Sequence, residues 1–181
     1  MATGARTAQR LKETPQEYTK RILGFVEGKN PITVQAATAG KLAKLIRGLR
    51  PAQLRKAPAP GKWSISQILA HLAEAEIVVG WRIRCMISAS GGPIQAFDQD
   101  AWAANHRYER TDAKRSLEVF RVLREFNLSL IKSLNPEELE RYGIHSERGK
   151  ESVAHYTRMM AGHDLNHLAQ VERIARDLRK R

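Results

Sequence analysis

Helix-start signals recur along this chain, and each opens onto a stretch whose apolar residues stand three or four apart. Thr14-Pro15-Gln16-Glu17 reads as a capping residue, a proline at the first helical position and a glutamate completing the capping box. Ser64 with Gln67 repeats the reciprocal pattern. Thr111 or Asp112 supplies another cap, and Asn135-Pro136-Glu137-Glu138 a further cap, proline and box. The stripes that follow keep helical spacing: Leu42, Leu45, Ile46 and Leu49; then Ile68, Leu72, Ala75, Val79 and Ile83; then Leu117, Phe120, Leu123, Leu128 and Ile131. Aromatic residues make up only 6% of the chain, and its apolar content is mostly Leu, Ile and Ala. That composition favours helices over a sheet.

These signals predict a frayed tail over residues 1–13 and a short helix from Thr14 to about Glu27. A second helix covers roughly Ile32 to Leu49, after the break at Asn30-Pro31. A third runs from Ser64 to about Ser88, with Trp63 packing back on Leu69 or its neighbours and Trp81 in the core. The next begins at Thr111 or Asp112, a short one after Asn135 is closed by Gly143, and the last runs from near Ser152 to about Leu178. Four are long, and the Gly91–Thr111 connection, about 20 residues, is long for a bundle; such loops are lids or binding loops, or contain short helices. The fold class expected is all-α: a four-helix bundle with an extra short N-terminal helix packed outside it. No strand-like run bounded by turns stands between the helices, and no glycine-rich phosphate loop is present, which argues against an αβ fold. Two segments are expected, a basic N-terminal extension with a short helix (1–31) and the bundle itself (32–181).

Charge is uneven. Residues 1–62 carry net +10 (13 basic against 3 acidic side chains), whereas residues 63–181 carry +2 (18 against 16). Such a skew can attract anions, but no aromatics interleave with these charges for base stacking, so nucleic acid is not the expected partner. The single cysteine, Cys85, excludes an internal disulfide or a multi-cysteine metal centre and reads as a buried small hydrophobe. With polar residues throughout the first twenty and no run long enough to span a bilayer, the expectation is a soluble, cytoplasmic protein with no membrane role.

Three histidines carry the chemistry. His163 and His167 stand one helical turn apart, with Cβ atoms about 5–6 Å from one another, so both rings can reach one ion at about 2.0–2.1 Å. Such a pair alone is a weak signal. His71 sits in similar semi-apolar surroundings, Ile68-Leu69-Ala70-His71-Leu72-Ala73. An unpaired imidazole in a core costs a few kcal/mol, and one divalent metal would satisfy all three rings. The competing reading gives each ring a neighbouring carboxylate or carbonyl. His163-Asp164-Leu165-Asn166-His167 also resembles the zincin motif, but with Asp for the glutamate and no evident downstream ligand, so a peptidase fits poorly.

The stretch Gly61-Lys62-Trp63-Ser64-Ile65-Ser66-Gln67-Ile68-Leu69-Ala70-His71-Leu72-Ala73-Glu74-Ala75-Glu76, followed by Arg82, resembles the first metal-ligand helix of the DinB/YfiT-like superfamily. Gly162-His163-Asp164-Leu165-Asn166-His167-Leu168-Ala169-Gln170 resembles its last helix, and the likeness covers about residues 32–178. The resemblance implies a four-helix bundle of up-down-down-up topology, with His71, His163 and His167 holding nickel or zinc, or else iron or manganese. It also implies an acidic-aromatic segment at Asp98-Gln99-Asp100-Ala101-Trp102, and pairing into a homodimer. The basic N-terminal extension departs from the pattern.

Three protein nitrogens leave positions open, the catalytic rather than the structural arrangement. The ion would activate water, making a hydrolase, or a small-molecule thiol, making a transferase or isomerase. A non-catalytic, metal-stabilised binding protein is the alternative. Asp100 is the chosen general base, ahead of Asp98 and Glu74. The plainer readings make Asp98 and Asp100 helix caps, and Glu74 and Glu76 surface charges or partners of Arg82 and Arg84. His106 and His155 are expected to be solvent-facing or locally bonded, and Trp102 to wall a pocket.

Overall fold

Every long helix begins where a side-chain oxygen meets amides that the helix itself leaves unpaired. Ser64 Oγ accepts from the Gln67 amide while Gln67 Oε1 accepts from the Ser64 amide at 2.9 Å. Asp112, Ser152 and Asn30 do the same singly. The computed structural model describes residues 13–180. All but the last residue of the expected frayed tail, and Arg181 of the basic C-terminus, lie outside them.

In chain order the elements are α1 (Pro15–Phe25), α2 (Pro31–Ile46), α3 (Pro51–Leu54), α4 (Ile65–Ser88), β1 (Pro93–Ile94), α5 (Gln99–Asn105), a 3-10 turn (Tyr108–Arg110), α6 (Ala113–Ser133), α7 (Pro136–Leu139), β2 (Tyr142–His145), β3 (Gly149–Ser152) and α8 (Val153–Arg179). The long helices α2, α4, α6 and α8 form a four-helix bundle, and α1 packs against α8.

Side-chain pairings give the helix directions. Glu76 meets Arg124 and Arg84 meets Asn127, so α4 and α6 run parallel. Gln35 meets Thr157, Thr38 meets Asp164 and Leu45 meets Arg179, so α2 and α8 are also parallel. Arg82 meets Tyr156 while His71 meets His163, so α4 and α8 oppose each other. The topology is up-down-down-up, as expected.

Two apolar clusters fill the bundle. One gathers Leu42, Leu69, Leu72, Phe120, Val171 and Ile174; the other gathers Ile22, Val79, Ile83, Leu128, Ile131 and Tyr156. The residue ranges of the clusters leave a middle layer in which all four helices place polar groups: Gln35 and Thr38, His71 and Glu76, Arg124 and Asn127, and His163, Asp164 and His167. All are buried.

Several expectations need correction. A small sheet does exist: β1 pairs parallel with β2, and β2 pairs antiparallel with β3. Its strands are two to four residues long, too short to leave a legible alternation. Gly143 does not close the short helix. It lies in β2, where an added Cβ would stand 2.4 Å from Ile94 Cγ1. The second helix ends at Ile46, and Pro51 opens the separate turn α3. Trp81 is 70% exposed rather than in the core; it stands two residues, about 200° of helix, from Val79. Cys85 is half-buried. The crossover contains α5 and the 3-10 turn, one of the options open to a loop of its length.

Candidate metal centre

The antiparallel packing of α4 on α8 brings His71 against His163 and His167. The Nε2 atoms of His71 and His163 are 3.1 Å apart, those of His163 and His167 also 3.1 Å, and all three ligand atoms lie within 4.8 Å of one another. The rings are buried, 2%, 7% and 7% exposed. An imidazole nitrogen carries either one proton or one lone pair, so His163 Nε2 cannot complete hydrogen bonds to both neighbours. One cation would take all three lone pairs. Two nitrogens about 2.0–2.1 Å from a shared ion stand roughly 3.0–3.4 Å apart at ordinary coordination angles. The observed spacing fits that.

Protonation would oppose such binding, and the surroundings suppress it. Burial, with His167 as a charged neighbour, lowers His71 to about 3. Burial lowers His167 to about 4, against the hydrogen bond to Gln170 and the nearby Asp164 charge, which raise it. His163 is held well below its ordinary value by burial first and by its two histidine neighbours next. Gln170 Oε1 lies 2.9 Å from His167 Nδ1, which places the proton on Nδ1 and the lone pair on Nε2. The Nδ1 atoms of His71 and His163 are buried with no hydrogen-bond partner among the described residues.

Behind the histidines lies an ion network. Arg124 Nη2 donates to Asp164 Oδ1 and to Glu76 Oε1, each at 2.9 Å, and Nη1 donates to Asp164 Oδ2 and, at 3.2 Å, to the Gln35 carbonyl. Thr38 Oγ1 donates to Asp164 Oδ2 at 2.9 Å, and Asn127 Nδ2 to Glu76 Oε2 at 3.1 Å. Burial opposes charge on Arg124, but Asp164 and Glu76 outweigh it and hold the guanidinium firmly protonated. Asp164 is therefore committed to Arg124 and does not stand in for the zincin glutamate. Glu76 is likewise neither a surface charge nor a partner of Arg82 or Arg84. Glu74 accepts from Tyr108 Oη at 2.8 Å and meets His106 Nδ1 at 2.7 Å, tying the crossover to α4. Trp63 packs on His71 (ring centroids 5.1 Å) and on Tyr108 (6.1 Å), and against the clusters that hold Leu69 and Ala70, in line with the expected packing on Leu69 or its neighbours.

The centre opens to a cleft. A pocket of about 470 Å³ is lined by His163, His167, Trp63, Gln170, Lys62 and Asp100, among others. Asp98 caps α5, accepting from the amides of Asp100 and Ala101 at 2.9 and 3.0 Å. Asp100, in the first turn of α5, is exposed on the cleft wall. Trp102 lines a different cavity, with Trp81 and Phe97.

Residues 35–171, well over half of the chain, match the DinB superfamily. The chain belongs to the DinB superfamily. Among its curated relatives is a protein of Oceanobacillus iheyensis, 26% identical over 132 residues that span 73% of this chain and 76% of that one. A Bacillus cereus relative is 26% identical over 142 residues, 76% of this chain and 79% of its own. Both carry the provisional name of metal-dependent hydrolase. The fold is also that of YfiT from Bacillus subtilis, described as an unusual four-helix bundle topology, with TM-score 0.76 at 18% identity over 93% of this chain and 91% of that one. Within this DinB protein the buried Arg124 network escaped the sequence reading. Its members are spread over four helices, and the only local signal was a polar residue on an apolar face, as at Arg124 beside Leu128 and Phe120.

Proposed function

We propose that this DinB-superfamily protein is a metal-dependent hydrolase in which His71, His163 and His167 hold one divalent ion, nickel or zinc ahead of iron or manganese. The observation that carries the reading is the convergence of three deprotonated imidazole nitrogens, two of them (His163 and His167) on the wall of a cleft large enough for a small molecule. When bound, such an ion supplies Lewis acidity and lowers the pKa of water toward 7. The protein's own groups have separable tasks. Gln170 sets the His167 tautomer, and the packing of Trp63 on His71 keeps solvent from that ring. Asp100, the titratable carboxylate on the cleft wall, accepts a proton at its Oδ and is the general base. The names of the Oceanobacillus and Bacillus relatives support hydrolysis over transfer to a small thiol.

The test is elemental analysis of the untagged protein beside His71→Ala and His167→Ala. About one equivalent of metal in the parent, lost in both variants, is the expected result. No metal in the parent after reconstitution, with unchanged folding of the variants, would overturn it. The loaded protein is then assayed against ester and amide hydrolysis and against thiol transfer; turnover only with a thiol present would replace hydrolase by transferase. No turnover at all would leave a metal-stabilised binding protein.

We further propose that the protein pairs with a second copy. Val119, Val122 and Phe126 form an exposed apolar stripe on α6, and Phe126 is 64% exposed. Sedimentation of the parent as a dimer, and of Phe126→Glu as a monomer, is the expected outcome. Among the described residues no helix is long and apolar enough to cross a membrane.

A further inference from the structure

Adjoining the cleft, and sharing Tyr18, Gln99 and His163 with it, lies a second cavity of about 280 Å³ that His71 also lines. One face of α4 runs along it: His71, Ala75, Val78 and Arg82, spaced by four, three and four residues. Met159 and Met160 of α8 line it together with Ala75, Val78 and Val79 and give it an apolar side, while Glu13, Gln99, Glu147 and Arg148 make up its polar side. The two ends of this α4 stripe differ in chemistry. At one end are the histidine nitrogens; at the other is a guanidinium.

Arg82 is 5% exposed, yet no carboxylate stands within ion-pair distance of it among the described residues. Its Nη1 donates to Tyr156 Oη at 3.2 Å and its Nη2 to the Gln95 carbonyl, and the rings of Phe97 and Tyr156 each lie 5.8 Å from its Cζ. All of those partners are neutral. The other acids and bases of the cavity are accounted for differently: Arg148 is bound to Glu151, Glu13 to Arg21, and Glu147 is exposed. Residues 1–12 contain no Asp or Glu that could supply the missing anion. A buried cation is retained at a large desolvation cost unless something pairs with it. Among the described residues no side chain does.

We propose that Arg82 is the anchor for the carboxylate of an apolar-bodied substrate that occupies this second cavity and presents its reacting group to the histidine centre. The guanidinium fork matches a carboxylate in two parallel hydrogen bonds. Of the two arginines that line the cavity, Arg148 is already paired with Glu151, which leaves one guanidinium for the ligand and suits a monoanion rather than a phosphate dianion, which would need further donors. Eleven residues of α4 separate His71 from Arg82, about 16 Å of axial rise. On α8, Tyr156, which meets the Arg82 guanidinium, and His163, which meets His71, stand seven residues apart, about 10 Å of rise, so the two functional groups lie nearer each other than their backbones do. The ligand that spans the two ends is therefore an elongated carboxylate of about six to eight chain atoms. Its orientation toward the histidines rests on the metal reading above; the carboxylate site itself does not.

The test uses defined probes. Hexanoate and 1-hexanol are titrated calorimetrically into the metal-free parent, Arg82→Met and Arg82→Lys at 150 mM salt, with melting temperatures recorded. The parent is expected to prefer hexanoate at least tenfold, Arg82→Met to lose that preference to within twofold, and Arg82→Lys to keep part of it. In cobalt-loaded protein, 6-mercaptohexanoate is expected to develop thiolate-to-cobalt absorption at tenfold lower concentration than 6-mercaptohexanol, and 3-mercaptopropionate to show no such advantage. Equal binding of acid and alcohol by the metal-free parent overturns the proposal without need of any variant. So does a preference that survives in Arg82→Met. A cobalt signal with acid and alcohol equivalent at every length would overturn the spanning orientation. Failure to load cobalt, with the hexanoate preference intact, would sink the metal reading and leave the carboxylate site standing.

Discussion

Asp164 and Arg124 form a buried ion pair directly behind the histidine centre, with Nη2 2.9 Å from Oδ1 and the second pair of atoms parallel to it. Asp164 is fully buried and lies next to His163 in sequence, so the pair couples α6 to the helix that carries His163 and His167.

The network holds one cation and two carboxylates, and removing different members leaves different residues of charge. Arg124→Met strands Glu76 and Asp164 together in the core and is expected to cost about 3–5 kcal/mol. Asp164→Asn leaves a neutral Arg124–Glu76 pair and is expected to cost clearly less. Urea denaturation of the metal-free proteins measures both, and the reverse order would show that the network is not acting through charge.

Acid should weaken the metal-free fold through the three histidines. Their folded pKa values lie below the ordinary 6.5, about 3 for His71 and about 4 for His167, with His163 shifted the same way. Between those values and 6.5 the unfolded chain binds more protons than the native one, so stability rises with pH across this window. The melting temperature is expected to fall as pH drops from 6.5 toward 4 and to be insensitive to these rings above 7. His71→Ala should flatten part of that slope.

Asp100→Asn keeps the size of the side chain and removes its basicity. Since Asp100 makes no contact with the histidines through the bundle core, metal content should match the parent. Under the proposed hydrolase reading, turnover by the metal-loaded protein should drop by about 10²–10⁴-fold, the range for loss of a general base. Undiminished turnover would transfer the role to another group on the cleft.

Gly162 is the residue that lets α1 dock. A Cβ there would stand 2.0 Å from the Ile22 carbonyl oxygen and 2.8 Å from its carbon, backbone atoms that cannot rotate away. Gly162→Ala gains helix propensity of about 1 kcal/mol but must displace α1, so a net loss of about 1–3 kcal/mol is expected. Faster amide exchange in α1, with α8 still protected, would locate the effect.

Much of this protein was legible before any fold was seen. Caps such as Ser64, Asp112 and Asn135 act on amides within three residues, and the apolar stripes act within one helix, so local sequence suffices to place the long helices. His163 and His167 share a face for the same reason, since one helical turn brings them together whatever else the chain does. The resemblance carried by the two histidine segments supplied the bundle topology. Tertiary structure alone decided that His71 of α4 meets them 92 residues away. It also decided that Asp164 turns inward to Arg124, that Glu76 and Glu74 take separate partners, and that Arg82 is buried with no acid at ion-pair distance among the described residues. The short strands leave no signal because runs of two to four residues are too short to show a period, whether they pair across a long separation, as β1 with β2, or in a tight hairpin, as β2 with β3. What a side chain does within its own helix follows from spacing; which charge it meets depends on how antiparallel and parallel helices are set side by side, and that is a property of the packed bundle.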